Sequence, residues 1–486
     1  MHNQDWSFIN EEDFDAMLEV YAPELPPEDI VAAVTPWKKA MRQILIGIAF
    51  GAITLNFLYL NFILPAIGMF LTLLGFRSLR RENGWFKSGF VITAVHTGCC
   101  LLMLMIDTTI YSGRFNAHPI GIVLRVGVWI LKLAQILCLW RGLVNIPHRV
   151  NLIPRSSGAG FLLLWYALLC LLHFQQASGF IVAALLLSFL FILRILYRFA
   201  ENLDNVGYAI RTAAIKVSDR ALVIFLASTL VIGCTCGHFL LGRYPMEWTP
   251  ADCATGDEDL ETTAQLLELG FPEYVLKDLT GEEIFSYVGA SKVVVYTHWY
   301  GTFDDGELLF TTVGVELSGE QPRWMMIHHF LWETAPVFCG TEAIQLWTPW
   351  VGSDQWQASG AATGRVLYDK EGQTFASPYD ALRNTPYPSG INPQDQEPAA
   401  LFSSFSLPNE GTHHRGYITY PITGLQEDWS IHCRLHYTHQ ESRLHYPNIT
   451  AIEQDTWAAS PIFSTYRMEF QFNETSELAQ PVLYRR

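Results

Sequence analysis

ILIGIAFGAITLNFLYLNFILPAIGMFLTLLGF, residues 44–76, runs for 33 residues without a charged side chain. As a single helix it would be about 50 Å long at 1.5 Å per residue, far more than the roughly 30 Å of hydrocarbon in a bilayer. As two helices it fits, turning near Asn56–Asn61 with Pro65 just beyond. Five further apolar runs follow: Gly89–Ile106, Ile120–Trp140, Gly160–Phe174, Gly179–Leu196 and Ala221–Leu241. The expected architecture is therefore an α-helical transmembrane bundle of about seven spans over residues 42–241.

Only 16% of the 486 residues are charged, against roughly 25% in an average soluble protein. The charge is also uneven. Residues 1–241 sum to +4 and residues 242–486 to −20, giving the overall −16. This excludes a single soluble globule and a disordered chain. A nucleic-acid partner is excluded too, because the acidic half repels phosphate.

Orientation follows from the Lys/Arg bias of short flanking segments. One set of helix ends carries 15 basic residues, from Lys38, Lys39 and Arg42 through Arg77, Arg80, Arg81 and Lys87 to Arg220, while the opposite short ends carry Arg114 alone. The asymmetry requires residues 44–76 to be a hairpin with both ends inside. The N-terminus is then cytoplasmic, and an odd number of spans places residues 242–486 outside. The first 37 residues hold nine acids and no base, the reverse of a signal peptide's basic n-region, so no cleavable signal is expected. Residues 1–41 read as an acidic cytoplasmic tail with two short helices. One is Glu11–Tyr21, with Phe14, Leu18 and Tyr21 on one face. The other starts at Pro26-Pro27-Glu28-Asp29.

Outside the membrane, residues 242–289 read as a short helical membrane-proximal segment, with a helix over Leu260–Leu269 ended by Gly270 and another started by Pro272. Residues 290–486 read as a mainly-β domain, sandwich or barrel-like. Lys292–Tyr300 and Leu308–Leu317 flank an Asp305-Gly306 turn, a hairpin signal. Trp324–Trp332, Ile344–Trp347, Arg365–Tyr368, Gly416–Ile422, Ser430–Tyr437 and Ser464–Phe472 alternate in the same way. In the Trp324–Trp332 run both faces are apolar, which predicts a buried central strand. Residues 378–410 carry six prolines and read as a long surface loop.

The runs Ile63–Gly68, Gly75–Asn83 and Gly340–Trp347 resemble segments of uncharacterised multi-span membrane proteins of Gram-positive bacteria. The resemblance runs through both halves of the chain. It implies the plasma membrane as the compartment and carries no activity or site.

Candidate chemistry is sparse. On Ile120–Trp140, Arg125, Lys132 and Gln135 share one stripe; on Gly89–Ile106, His96 and Cys100 share another that ends at Asp107. His96 and Lys132 both lie about 12 Å from their cytoplasmic helix ends. Ionisable groups at that depth are costly unless paired or wet, so His96, Asp107, Arg125, Lys132 and Gln135 form a candidate intramembrane polar site. The bland alternative is an Asp107–Arg125 orientation clamp with a snorkelling Lys132.

Trp347, Trp350 and Trp356 lie in a turn-rich stretch and are a candidate ligand platform, with core packing as the alternative. Cys339 and Cys433 are a candidate disulfide, since both fall in the β-domain. Nine of the 15 histidines follow residue 242, yet none has metal-ligand spacing. His432 and His436 would stand about 13 Å apart on a strand, and His328-His329 would point to opposite faces. No nucleophile motif, P-loop or other cofactor fingerprint is present, so neither metal nor cofactor is expected. The sequence favours a membrane-anchored extracytoplasmic binding or sensing protein of the cell envelope, meeting the lipid bilayer and an envelope component or partner protein. A transporter or intramembrane enzyme using the third and fourth spans is the alternative, and an ectodomain hydrolase is weaker still.

Overall fold

The computed structural model describes residues 36–52, 57–146, 157–172, 179–205, 208, 210, 217–252, 257–302, 306–319, 323–334, 336–347, 357–358, 361–386, 399–423, 430–454 and 460–473. The acidic tail and its two expected helices lie outside these residues. The chain divides into two compact units. One holds the described residues up to Met105 together with Phe115–Cys234, and the other holds Ile106–Arg114 with the described residues from Thr235 onward.

The first unit is helical. Its helices are α1 (Pro36–Ala52), α2 (Leu60–Leu79), α3 (Gly84–Ile106), α5 (Pro119–Val144), α6 (Ser157–Leu172), α7 (Gly179–Asn205) and α8 (Asp219–Leu241); the six-residue α4 (Ser112–Ala117) lies between α3 and α5. The described residues of every expected apolar run are helical but for the turn before α2. Five segments are long and apolar enough to cross a membrane: Leu60–Leu79, Gly84–Ile106, Pro119–Val144, Ala183–Asp204 and Asp219–Leu241. The other two, α1 and α6, have 17 and 16 residues and reach only about 25 Å at the helical rise.

The expected hairpin over residues 44–76 is the antiparallel pair α1–α2, with Pro65 inside the second helix. Small residues set its closeness. A Cβ on Gly68 would fall 2.5 Å from the Gly47 carbonyl oxygen, and one on Gly75 would fall 2.7 Å from that of Ala40. Such backbone approach is what small residues permit between apolar helices.

The basic helix ends gather at one end of this unit. Arg77 pairs with Asp219 at 3.0 Å, and Lys38 with Asp204 at 3.7 Å. Trp37 Nε1 donates to the Ala200 carbonyl, Asn83 Nδ2 to that of Gly142, and the Tyr208 hydroxyl to Glu82.

The second unit is an antiparallel β-sandwich. Its strands are β1 (Thr249–Pro250), β2 (Ala290–Thr302), β3 (Gly306–Leu317), β4 (Arg323–Trp332), β5 (Thr341–Trp347), β6 (Gln357–Ala358), β7 (Thr363–Lys370), β8 (Gln373–Pro378), β9 (Ala381–Pro386), β10 (Ala399–Ser406), β11 (Thr412–Thr423), β12 (Ser430–Gln440) and β13 (Phe463–Asn473). One sheet runs β1-β8-β7-β11-β4-β3-β2, with β6 also on β11; the other runs β13-β12-β5-β10-β9. The β2–β3 hairpin and central β4 are as the sequence predicts. Trp324, Met326, Phe330 and Trp332 of β4 enter the core between the sheets, where Phe330 meets Phe405 and Tyr437 at ring-centroid distances of 5.5 and 5.0 Å. Met325 and Ile327 enter a second core on the opposite face.

Three expectations are corrected. First, residues 378–410 are not one long loop. β10 lies inside the five-stranded sheet with Leu401, Ser403 and Phe405 all buried, and β9 is its edge partner. Serine at buried sheet positions hides the alternation, and Pro386 is tolerated because β9 is an edge.

Second, the helices of the 242–289 segment are packed on the sandwich. Helices α9 (Asp257–Glu268), α10 (Glu273–Leu276) and α11 (Gly281–Phe285) cover the outer face of the larger sheet, burying Leu266, Phe271, Leu276, Ile284 and Tyr287 against it. Helix α9 ends as the sequence indicates. Gly270 adopts φ +89°, Phe271 N–H bonds the Leu266 carbonyl and Gly270 N–H that of Leu267, a Schellman closure. Third, Cys339 and Cys433 are not joined in a disulfide. Both are packed into the inter-sheet core, which gives each an apolar setting without a disulfide.

Candidate functional site

Within the helical unit the two expected polar stripes face each other. Gln135 Nε2 donates to Thr93 Oγ1 at 3.0 Å, tying α5 to α3. Cys100 Sγ lies 3.7 Å from His96 Nε2, one turn along α3. Lys132 acts electrostatically on both His96 and Cys100. Its Nζ stands 5.8 Å from the ring centroid of Tyr166, within the range of a cation–π contact. Among the described residues the buried Gln135 Oε1 and Tyr166 hydroxyl have no hydrogen-bond partner. The structure thus brings His96, Lys132 and Gln135 together and adds Thr93, Cys100 and Tyr166. Tyr166 is the member the sequence did not single out, because α6 has no polar stripe of its own. Asp107 accepts from Ser112 Oγ at 2.8 Å, and Arg125 Nη2 donates to the Asn116 carbonyl at 3.4 Å.

The histidines of the β-sandwich have structural partners. His328 faces the inter-sheet core between Thr312 Oγ1 at 3.0 Å and the Tyr420 hydroxyl at 2.9 Å, and burial lowers its pKa to about 3. His329 faces the other way, onto Asp278 at 2.9 Å, and Arg415 Nε reaches the same carboxylate at 2.8 Å. Burial opposes ionisation of Asp278, but His329 and Arg415 outweigh it and hold the carboxyl below its ordinary value. Arg365 adds two bonds to the Asp278 carbonyl. This network fastens the helical cover to the sheet. His432 meets Glu469 at 2.6 Å, and His439 meets Glu342 at 2.8 Å in the core. Among the described residues no group of three His, Cys, Asp or Glu side chains is placed to hold a metal ion.

Trp347 closes β5 opposite Arg434 of β12; Trp350 and Trp356 lie outside the described residues. The platform they were expected to form is therefore not placed. No protein-family model matches the chain, and no curated protein is similar to it.

A site the sequence did not reveal opens elsewhere in the β unit, beside the last turn of α8. It is a cavity of about 600 Å³ lined by His238, Arg243, Phe338, His414, Gln440 and Arg443, among others. Local geometry builds it. Gly242 turns the chain sharply at the helix end, where a Cβ would fall 2.1 Å from the His238 carbonyl oxygen. Tyr244 N–H then bonds Ser406 Oγ at 3.0 Å, and Arg243 Nη2 bonds Asn409 Oδ1 at 2.8 Å. On the far side, Gln440 Oε1 accepts from both Thr341 N–H and Thr341 Oγ1, holding the 336–340 segment in place.

Arg243 and Arg443 both lie over the Phe338 ring, their guanidinium carbons 5.2 and 5.5 Å from its centroid. Among the described residues neither forms an ion pair with a carboxylate. Burial lowers the Arg243 pKa from its ordinary value, and the Arg443 charge acts in the same direction. Cys339 lines the cavity too, but burial pushes its thiol up to about 12. It is protonated at neutral pH and is not an activated nucleophile. The cavity thus combines two cations without an ion-pair partner among the described residues, amide side chains and an apolar rim.

The signal was present but diffuse. Arg243 follows an apolar run, and Arg443 stands in a half of net charge −20. Only the closure of the sandwich brings residues 238–243, 336–340, 409–414 and 440–448 to one place.

Proposed function

We propose that the chain is a multi-pass protein of the bacterial plasma membrane whose β-sandwich binds a ligand on the outer side, with the N-terminus in the cytoplasm. The observation that carries this reading is the open cavity at the end of α8, with its two unpaired arginines. The gathering of basic helix ends at one end of the helical unit supports N-in orientation by the positive-inside rule. Seven crossings suit the packing as well. Gly160 of α6 sits against Trp140 near the end of α5, and Gly158 against Ile195 of α7, so the short α6 starts at the basic end and α7 returns to it.

The test is labelling with a membrane-impermeant thiol reagent. Val337 is 83% exposed at the cavity rim, and Val337→Cys is expected to react in intact cells above the wild-type background. Reaction only after lysis would place the sandwich in the cytoplasm and sink the reading.

The buried, unpartnered oxygens of Gln135 and Tyr166 near Lys132 favour a second reading, a transporter or intramembrane enzyme acting at the facing stripes of α3 and α5. In that case the sandwich serves as an accessory domain.

A further inference from the structure

We infer that the cavity beside α8 binds an anionic phospholipid, with the phosphodiester held between Arg243 and Arg443 and the acyl chains on the apolar rim. The inference rests on the placement proposed above and names the ligand class of the same cavity.

Four observations converge on it. The two guanidinium groups approach one ring, Phe338, from 5.2 and 5.5 Å. Like charges so close repel each other, and an anion between them relieves that repulsion. Among the described residues no carboxylate forms an ion pair with either guanidinium: Arg243 is hydrogen-bonded to neutral Asn409 and feels the buried Glu342 only through its charge, whereas Arg434 and Arg415 both have carboxylate partners. Arginine forks suit phosphate oxygens in two-point contacts.

The rim is the third observation. Phe239, Val337 and Leu444 are 76, 83 and 73% exposed, an apolar surface next to a cationic pocket. Large exposed apolar side chains rimmed by polar groups mark interaction sites, and this combination matches an amphiphile better than a free anion.

The fourth is position along the chain. Helix α8 has 23 residues, about 34 Å at the helical rise, so its last turn reaches the edge of the hydrocarbon. Arg243 follows two residues later, at the level where lipid phosphates lie.

Asn448 lines the same cavity. Its backbone N–H bonds the Asp107 carbonyl at 2.6 Å and its side chain the Thr108 carbonyl at 3.4 Å. The loop after α3 is thus fixed to the cavity wall, and Ile110 N–H bonds the Leu241 carbonyl at the end of α8. The pocket is held by covalently distant segments and does not need a ligand to form.

The experiment uses the full chain in nanodiscs of phosphatidylglycerol or of phosphatidylcholine, released into detergent and read by native mass spectrometry for retained lipid. The wild-type protein is expected to retain one phosphatidylglycerol and no phosphatidylcholine. Arg443→Gln, at an exposed position, should weaken retention about tenfold, and the Arg243→Gln/Arg443→Gln pair should abolish it. Arg323→Gln, at the exposed start of β4, should leave it unchanged.

Equal retention of both lipids, or undiminished retention by the double variant, would overturn the inference. Displacement of the lipid by low-millimolar inorganic phosphate would identify a free-anion site and overturn the lipid assignment. If retention fails while Val337→Cys is labelled from outside, the lipid assignment falls and the outer location stands. If Val337→Cys is not labelled, the location itself is wrong.

Discussion

His328 and His436 should make the β-sandwich lose stability as pH falls through the range just below neutrality. Both are buried, and burial is the leading cause that lowers each pKa to about 3. For His436 the charges of Arg467 and Arg434 add to the effect. In the unfolded chain a histidine titrates near 6.5. The folded-state pKa of a base is here depressed, so the unfolded state takes up the proton first. Stability is complete above about pH 6.5 and is lost progressively down to about pH 3. At pH 5.5 the unfolded form of each residue is about ten-elevenths protonated and the folded form is not, which costs about 1.4 kcal/mol per histidine. The pair therefore removes about 3 kcal/mol between pH 7.5 and 5.5, or roughly 6–12 °C in melting temperature for a unit of this size. Glu342 works in the opposite direction. Burial raises its carboxyl pKa against the pull of His439, so falling pH favours its folded form. The informative quantity is therefore the slope. Thermal unfolding of the full chain in detergent, followed by tryptophan fluorescence from pH 7.5 to 5.5, should show His328→Gln and His436→Gln each removing about one proton from the linkage. If either variant keeps the wild-type slope, that histidine is not neutral in the folded protein and the reasoning fails.

Two further outcomes are expected. Asp278→Ala removes the carboxylate that His329 and Arg415 share but leaves Arg415 its pair with Asp369 at 3.0 Å, so it should cost less than the roughly 3–5 kcal/mol of a buried pair whose partner is fully stranded. Asp278→Ala combined with Arg415→Met should recover part of that loss, and equal or additive losses in chemical denaturation would show that the two do not couple. Lys132→Met should leave folding nearly unchanged. If a transport or enzymatic activity of the helical unit is found, its survival in Lys132→Met would assign the lysine to packing, and its loss would assign it to the polar site.

The helical half was legible because an uninterrupted apolar run leaves few alternatives. Each of the six runs is helical where it is described, but for the turn before α2, and His96, Lys132 and Gln135 were singled out from helical spacing alone. What spacing does not give is length in context. The described residues of helices α1 and α6 number 17 and 16, against the ~20 a straight crossing needs.

In the β half, strands with large alternating side chains were legible, β4 above all. The failures share one cause: burial that is not announced by hydrophobicity. Strand β10 buries Ser403, Ser404 and Ser406, small polar residues that read as loop. Helix α9 is mostly polar, and only Leu266 of its last turn is sealed in the core beneath the sheet. Cys339 and Cys433 are buried without a disulfide between them, and cysteine buries readily as a small apolar side chain.

The cavity was the least legible feature because it belongs to no single element, and its location bears on the binding role proposed above. Helix α8 passes from Leu241 through only Gly242 and Arg243 before Tyr244 is hydrogen-bonded into the sandwich, Glu247 N–H bonds Ser377 Oγ, and β1 pairs with β8. No long linker separates the helix from the sheet. The last turn of α8, from Thr235, falls within the same compact unit as the sandwich. A ligand that draws Arg243 toward Arg443 therefore acts on the residue two positions beyond the helix end, and Gly242, where no Cβ fits, fixes the angle of that turn. A ligand shifts a conformational equilibrium only by its differential affinity for the states involved. Arg243 is the one cationic side chain of the cavity that lies on the connection itself, so occupancy there can bias the end of α8 without any movement of the sheets.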